Sequence, residues 1–523
     1  MARKELNKPS SYWDKRRLKN FKANEKYTKE YIKRIKRIYA KSNKEVQDMI
    51  DNVYRNYSKD TGLDVQKLKE ILSKSESEKT FKELKKQGLD KYVKNNYKSR
   101  ISRLEQVQAQ IYAKAKEIYP KEELEQTMAY KGVINNGYYK TIYDVEQNTG
   151  MQYAFSKIDD RMMNAVLSER WSGKNYSERI WTNTDILADN LSETISSALM
   201  SGQGVEKTAR EIRERFNVAK YYSERLVRTE MVYFDNQADM MAYEELGVKE
   251  YVLVATLDNK TSEYCIEMDG QHFPYSKIVV GENYPPFHPN CRCTTRGYLG
   301  KEAEEMMERN AINPITGERE LFAGNYKQWK ESLKSRYGED DVNIEYKKEK
   351  NKVKDKEQWK NYKEFIGKEH IPDTLEKWQE LKYNKSSDYE FIKRYYVDMK
   401  RLGLPNNMSF DIYKTNMQAK KWEGWQAVGF YPKYVEGHMK HLEETGCKTF
   451  EEYERKAMKI LNSKSRNIER VISNDGTHFA YKKKTNEFVC ARSNGITQTY
   501  FKPEEGIEYW KREVVEKYEQ RKN

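Results

Sequence analysis

Residues 285–293 read Pro-Pro-Phe-His-Pro-Asn-Cys-Arg-Cys, and no other part of the chain brings as many rigid, basic and metal-capable side chains together. The two opening prolines fix φ and remove backbone donors, so the segment enters as extended chain and not as helix. Cys291 and Cys293 are too close in sequence to bridge each other comfortably, which leaves packing, metal ligation or a more distant partner. The segment is therefore predicted to be a rigid loop around which the neighbouring elements are arranged.

Upstream of this loop, Cys265 and His272 flank a turn signal at Asp269 and Gly270. A hairpin-like excursion would bring them to His288 and the two later cysteines, a set of side chains that tetrahedral zinc accepts. The spacing is not that of a standard zinc finger. A loop held by packed thiols and a buried histidine explains the same residues, so the sequence leaves zinc and packing as alternatives.

The composition indicates several helical units and a basic protein. A chain of 523 residues exceeds one hydrophobic core and predicts roughly three or four units. A hydrophobic fraction of 37% beside a charged fraction of 34% favours helices with wide solvated faces over one large-cored enzyme. The net charge of +15 indicates either contact with a polyanion or a lysine-rich surface that binds nothing.

The cysteine content and the hydropathy of the chain indicate the cellular compartment in which the protein is made. The five cysteines lack framework spacing, which indicates a reducing compartment, and their odd number argues against a closed set of disulfides. The sequence has no run of about eighteen apolar residues and no signal-peptide core at its start. We therefore expect synthesis in the cytosol and no membrane segment.

Apolar residues at three-and-four spacing predict a long amphipathic helix over residues 31–57 and a second over 101–118, which Pro120 is expected to stop. Residues 1–130 are thus predicted to be a basic α-helical arm, with either a solvated face or a protein-docking surface. Residues 133–150 contain Asn-Asn-Gly and are predicted to form turns between short irregular elements.

Helices are predicted again before the cysteine loop. The last of them is expected to begin with Ser223 as its cap and to end at Gly247. It carries the tripeptide Arg228-Thr229-Glu230 near its start. A β-rich run and a turn signal follow it, so the order becomes helix, strand and irregular loop.

Several short motifs of this region follow one another in a fixed order: Arg228-Thr229-Glu230, Ala255-Thr256-Leu257-Asp258, Cys265, Asp269-Gly270 and residues 286–293. In that order they resemble the Mu F-like minor head protein family of tailed bacteriophages, also called the phage head morphogenesis family. The resemblance covers roughly residues 180–300. The long basic helical N-terminus is similar to that of family members as well.

This resemblance implies a minor capsid protein of the virion, held near the portal inside the phage head and packaged or ejected with DNA. Portal and capsid or scaffold proteins are its implied partners, and no enzymatic activity is implied for this region. If the family shares a zinc site, the resemblance assigns it here to Cys265, His288, Cys291 and Cys293.

The C-terminal segment, residues 405–523, is predicted to be a separate unit because its element order differs from everything before it. His438 and His441 lie in a short predicted helix, one turn apart on one face. Four strand-like runs separated by turn signals follow, and a final helix closes the segment. Helices followed by an antiparallel meander predict an α+β domain.

Metal-independent RNA cleavage needs a base for the 2′-hydroxyl proton, an acid for the leaving 5′-oxygen and a cation for the phosphorane. The side chains of this unit that suit such roles are His438, His441, Arg492, Thr499 and Tyr509. Their arrangement resembles small toxin ribonucleases of the barnase, EndoU, colicin E5/D and RelE-like superfamily, found as C-terminal modules on phage head proteins and polymorphic toxins. We expect no cofactor for this reaction, an RNA substrate and an immunity protein as a partner. Surface or helix-capping roles explain the two histidines equally simply.

The predicted protein is multidomain. A long α-helical N-terminal arm (1–130) precedes an α+β head-morphogenesis domain (131–300), a charged tether with a helical connector (301–404) and an α+β module with an antiparallel sheet (405–523). The predicted function is a phage minor head protein with a ribonuclease-like module. A purely structural head protein with an inert C-terminal domain and a DNA-binding packaging factor are the alternatives.

Overall fold

The computed structural model describes residues 10–59, 62–63, 65–70, 72–86, 102–149, 152–298, 308–384, 386–419 and 422–518. The chain divides into two compact units, Met1–Asn343 and Ile344–Asn523. The predicted multidomain class, with a helical N-terminal region and a C-terminal α+β domain that contains an antiparallel sheet, is confirmed. None of the helices in these ranges has the length and apolar character that a membrane span requires.

The first unit starts with a helical core. Its helices before the first three-stranded sheet are α1 (Ser10–Tyr57), α2 (Val65–Lys69), α3 (Lys74–Lys86), α4 (Arg103–Lys116), α5 (Ile118–Thr149), α6 (Asp160–Ser168), α7 (Tyr176–Met200) and α8 (Val205–Glu245). The two-residue strands β1 (Ser58–Lys59) and β2 (Gly62–Leu63) pair between α1 and α2. The apolar stripe of α1 is covered by α5 and α8, so the predicted N-terminal arm is a packed part of this core.

One buried carboxylate joins three of these helices. The side chain of Glu122 on α5 accepts hydrogen bonds from Tyr39 on α1 (2.8 Å), from Gln126 (2.7 Å) and from Ser223 on α8. Burial raises the pKa of Glu122 to about 7. The prediction that Ser223 caps a helix is wrong, because its hydroxyl lies inside α8 and is engaged by this carboxylate. Gly204 takes the cap position, and α8 continues from there for 41 residues.

The prediction of turns over residues 133–150 is also wrong, because α5 continues as a helix to Thr149. A Cβ atom placed on Gly137 would lie 2.8 Å from the Cβ of Ala238 on α8. The glycine of the Asn-Asn-Gly sequence therefore permits close contact between two helices and does not form a turn. Pro120 lies in the first turn of α5, where a missing backbone N–H breaks no helical hydrogen bond, so it belongs to a helix start.

A small α+β part follows α8. The strands β3 (Glu250–Val254), β4 (His272–Pro274) and β5 (Thr294–Gly297) form an antiparallel sheet in the order β4-β3-β5, with the helix α9 (Glu263–Met268) between β3 and β4. A hairpin of β6 (Glu308–Ile312) and β7 (Arg319–Ala323) leads to α10 (Tyr326–Tyr337). The backbone N–H of Ile312 donates to the carbonyl of Leu257 (2.8 Å), which attaches this hairpin to the segment after β3.

The second unit combines helices with one five-stranded sheet. Its helices are α11 (Glu339–Ile366, which starts before the unit boundary), α12 (Leu375–Tyr383), α13 (Ser387–Leu402), α14 (Phe410–Gln418), α15 (Val435–His438), α16 (Leu442–Thr445), α17 (Phe450–Leu461), α18 (Ile507–Trp510) and α19 (Glu516–Tyr518). Its strands are β8 (Gly429–Phe430), β9 (Ile468–Ile472), β10 (His478–Lys482), β11 (Glu487–Ala491) and β12 (Ile496–Phe501). The strand order is β8-β12-β11-β10-β9, antiparallel except for the parallel pair of β8 and β12.

Both faces of this sheet are covered. On one face α17 packs through Tyr453 and Ala457 against alternate residues of the strands. On the other face the C-terminal helical segment packs through Trp510 and Val514. The helices α11 to α14 share a separate core with Val428 and Tyr431 on either side of β8 and with Ile496, the first residue of β12. The later part of the region predicted as a connector, from α11 onwards, therefore packs directly against the module that follows it in sequence.

Candidate metal centre and candidate nuclease site

Three thiols and one imidazole come together where α9 meets the cysteine loop. The Sγ atoms of Cys265, Cys291 and Cys293 all lie within 4.8 Å of one another, and all three residues are buried. The Nε2 atom of His288 lies 3.1 Å from the Sγ of Cys265. Of the four residues assigned from sequence to a zinc site, the three cysteines thus form one cluster, and His288 contacts this cluster through Cys265. His272 lies elsewhere, with its ring stacked on that of Tyr298 at 4.2 Å.

The imidazole of His288 is oriented by its own loop. Its Nδ1 lies 2.9 Å from the carbonyl oxygen of Pro289, and because a carbonyl only accepts, this nitrogen carries the proton. In the neutral ring Nε2 is then the acceptor, and it faces Cys265 and the hydroxyl of Ser262 (2.9 Å). Metal-binding histidines commonly show this arrangement, in which a backbone carbonyl fixes the tautomer.

The pKa values of the three thiols differ. Hydrogen bonds from Cys291 and Cys293 hold the pKa of the Cys265 thiol well below its usual range. The same contact with Cys265 raises the pKa of the other two thiols. All three cysteines are free of disulfides. The cluster therefore stabilises one thiolate, the form in which cysteine binds a metal.

The two predicted catalytic histidines lie just after β8. His438 ends α15 and His441 ends the following 3₁₀ turn, so they lie on successive short helical segments and not on one longer helix. The ring of His438 packs against Phe430 of β8, 4.6 Å between centroids. Burial lowers the pKa of His438 below 6.5, and the nearby His441 lowers it further. The Nδ1 of His441 lies 2.7 Å from a carboxylate oxygen of Glu444.

The other three predicted catalytic residues lie in two different surroundings. The guanidinium of Arg492 lies over the ring of Tyr431, the residue that follows β8, at 5.7 Å. Thr499 pairs with Cys490 on the face of the sheet that the C-terminal segment covers. Tyr509 packs at the edge of that core. No hydrogen bond joins any two of the five predicted residues, all of which the structure describes.

Two ring contacts link His441 and Tyr509 through one aromatic residue between them. The ring of Phe501 at the end of β12 lies 6.0 Å from that of His441 and 5.5 Å from that of Tyr509. Sequence reasoning missed Glu444, although its spacing of three residues from His441 on a helical pattern would have suggested the contact. It also missed β8, because a two-residue strand has no periodicity to detect.

Comparison with known proteins bears on the first unit. Residues 189–296 match the family described as Phage Mu protein F like protein. We call this segment the Mu F-like domain after that similarity. It contains α8, the three-stranded sheet, α9 and all four members of the thiol and histidine cluster. The Mu F-like domain supports the resemblance to the phage head morphogenesis family that the sequence motifs carry.

Two curated proteins are similar to parts of the chain. One is NAD(+)–arginine ADP-ribosyltransferase EFV of Enterococcus faecalis, 27% identical over 189 residues, which are 33% of this chain and 39% of that protein. The other is an uncharacterized protein of Haemophilus influenzae, 24% identical over 132 residues, which are 25% of this chain and 29% of that protein. The chain thus covers well under half of the length of each. No solved structure matches the chain.

Within the Mu F-like domain, α8 holds the cysteine loop through its polar side chains. The hydroxyl of Thr229 accepts from the backbone N–H of Asn290 (3.0 Å), whose φ is 61°. About two helical turns further along, Asn236 donates to the carbonyl oxygen of Cys293 (3.2 Å). Glu230, next to Thr229, is buried and pairs with Arg179 on α7. The motif Arg228-Thr229-Glu230 therefore joins the loop on one side to the helical core on the other.

Two buried carboxylates brace the same loop and the hairpin beyond it. Asp258 binds Arg292 of the loop through both of its oxygens. Asp269, with its side chain fully buried, binds Arg309 of β6 and accepts from the backbone N–H groups of Ala255 (2.6 Å) and residue 326 (2.6 Å). The sequence presented Asp269 as a turn residue, and its partner Arg309 lies 40 positions later, beyond the reach of any local pattern.

Replacing Asp269 by alanine is predicted to destabilise the first unit by about 3–5 kcal/mol, because Arg309 would be left as a buried charge without its partner. Glu267→Ala is the matched control. Glu267 lies on α9, two residues before Asp269, and its replacement removes an exposed pair with Lys327 of α10, for which a loss below about 1 kcal/mol is expected. Calorimetric unfolding of the full chain checks both values. Equal, small losses in the two variants would contradict the bracing role of Asp269.

Proposed function

We propose that this chain is a minor head protein of a tailed bacteriophage, which assembles with the portal inside the head and carries a zinc-stabilised domain and a ribonuclease module. The Mu F-like domain at residues 189–296 is the observation that supports head morphogenesis. Portal and capsid proteins are the partners that such a function requires. The virion is accordingly its proposed location, after synthesis in the host cytoplasm.

Co-expression with the portal protein of its phage tests the assembly role. Affinity purification of the portal is expected to recover the full chain. Glu267→Ala should be recovered as well as the wild type, whereas Asp269→Ala should be recovered poorly, because its Mu F-like domain is predicted to be destabilised. A wild-type chain that stays entirely in the unbound fraction would contradict association with the portal.

The proposal of zinc rests on the donor set of the thiol and histidine cluster. In a tetrahedral site with Zn–S bonds of about 2.3 Å, the sulfur atoms lie about 3.8 Å apart. The observed separation of 4.0 Å between Cys265 and Cys291 is close to that spacing. His288 supplies the fourth donor with its tautomer already fixed by the carbonyl of Pro289. Bound there, zinc would crosslink α9 to the cysteine loop, a structural and not a catalytic task.

Elemental analysis of the purified full chain is expected to find close to one zinc per chain. Cys291→Ser should lose the metal, because three donors remain, and a chelator should lower the melting temperature of the first unit. Cys447→Ser, which changes a buried cysteine of the second unit outside the cluster, should keep it. A wild type purified without metal, and with melting unchanged by chelator, would leave packing of thiols as the explanation.

The proposed ribonuclease reaction is attack of a ribose 2′-oxygen on the adjacent phosphorus, with departure of the 5′-oxygen. His438 and His441 are the groups proposed to take up and deliver the two protons. Glu444, at 2.7 Å from the Nδ1 of His441, would hold that ring in one orientation. Arg492 would stabilise the charge of the phosphorane. Thr499 and Tyr509, which lie nearer the opposite face of the sheet, would act at most through the position of the substrate.

The full chain is expected to cleave RNA in the presence of EDTA. The whole chain is required because the helices α11 to α14 share a core with the sheet region. His441→Ala and His438→Ala should each lower the rate about a hundredfold or more, the usual effect of removing a positioned acid or base. His272→Ala, an exposed histidine of the first unit, should leave it unchanged. Absence of cleavage by the wild type would return the second unit to a structural role.

A further inference from the structure

Residues 432–441, here called the ridge, form an exposed helical segment on the edge of the five-stranded sheet. The ridge consists of a 3₁₀ turn (Pro432–Tyr434), α15 and a second 3₁₀ turn (Met439–His441). It leaves β8, which is an edge strand of only two residues paired with β12. The ridge carries both proposed catalytic histidines. Whatever binds next to them must therefore also contact the other side chains of the ridge.

An aromatic pair with a cation lies at the start of the ridge. Tyr434 is 48% exposed, although a large aromatic side chain is usually covered. Its ring meets the buried ring of Tyr431 edge-on, 5.9 Å between centroids. The guanidinium of Arg492 lies over Tyr431. The contact with Tyr431 supports the ring of Tyr434 from one side and leaves nearly half of it open to solvent.

The charges around this ring are mostly positive. Lys433 and Lys440 on the ridge and Arg492 beside it are exposed, and none of them forms an ion pair with another residue of the described chain. Glu436 is the one acidic residue of the ridge. The ridge and Arg492 together thus carry three cations and one carboxylate, an excess of positive charge that can attract phosphate groups.

We infer that the ridge binds single-stranded RNA, with an unpaired base stacked on Tyr434 and adjacent phosphates held by Lys433, Lys440 and Arg492. This inference rests on the proposed ribonuclease function and specifies the form of its substrate. An exposed aromatic ring flanked by unpaired cations suits single strands, because base pairing and stacking cover the base faces in a duplex. The stacked base would place the neighbouring ribose and phosphate near His438, four residues further along the ridge.

Fluorescence anisotropy with the full chain tests this inference in EDTA. The probe is a short 2′-O-methyl RNA strand, which cannot be cleaved because its 2′-oxygen is blocked, used alone or annealed to its complement. The single strand is expected to bind about tenfold more tightly than the duplex. Tyr434→Ala should weaken binding of the single strand by about tenfold, within the range seen when a stacking aromatic is removed, and Tyr434→Phe should retain it.

Three variants separate stacking from general charge and from misfolding. Tyr221→Ala, which removes an exposed tyrosine of the first unit, should bind like the wild type. Lys433→Ala should lower the slope of log affinity against log salt by about one, because one phosphate contact is lost. Tyr434→Phe keeps the ring, so retained binding by this variant shows that a loss in Tyr434→Ala reflects the ring itself.

The outcomes distinguish this inference from the function on which it rests. Single-strand binding that depends on Tyr434, without cleavage of ordinary RNA, would remove the ribonuclease proposal and leave the ridge as a binding site. Cleavage of ordinary RNA that is unchanged in Tyr434→Ala would leave the ribonuclease and overturn the ridge. Equal affinity for single strand and duplex, or no binding of either, would overturn the ridge as well.

Discussion

The close contact between α5 and α8 sets the spacing on which the first unit depends. Gly137 has no Cβ, so Ala238 of α8 can approach the backbone of α5 to a distance that another residue would block. Glu122 then lies near enough to accept hydrogen bonds from α1 and α8 together. The position of α8 matters beyond the core, because the side chains of Thr229 and Asn236 on this helix hold the backbone of the cysteine loop.

The α+β part of this unit compensates for a small apolar core with polar crosslinks. Among the residues that the structure describes, the apolar cluster around the thiols consists of Ala255, the three cysteines and part of Phe287. Two buried carboxylates pair with arginines beside this small core, Asp258 with Arg292 and Asp269 with Arg309. Each pair fixes the distance between the two segments that carry it. Such pairs contribute little net stability, but breaking one leaves a buried charge. They therefore select one arrangement of the loops, and a metal bound by the thiols would act in the same sense.

Features that depend on neighbouring residues can be predicted from the sequence, whereas most contacts between residues far apart in the chain cannot. Helical periodicity predicted the apolar stripes of α1 and α4, and turn signals predicted the four consecutive strands that are β9 to β12. The meeting of Cys265 with residues 26 and 28 positions later followed from residue chemistry, because few environments suit three cysteines and a histidine. The contacts of Gly137 and Ser223 could not be predicted, since a glycine at a helix crossing and a glycine in a turn have the same local sequence. Asp269 and Glu122 were missed for the same reason, as their partners come from other elements.

In the second unit, the helices packed on both faces of the sheet limit where a substrate can bind. α17 closes one face and the C-terminal segment closes the other, so that the aromatic rings of β10 to β12 serve packing. A substrate must therefore bind at an edge or at a strand end. Of the two edge strands, β9 leads into a tight turn, whereas β8 has only two residues, pairs with the first two residues of β12 and is followed by the two histidines. The hydroxyl of Thr497, beside Phe430 in the register of β8 and β12, is buried without a hydrogen-bond partner among the described residues. The proposed reaction therefore has room at this edge rather than on a face, because β8 pairs with β12 there and the segment with both histidines follows β8.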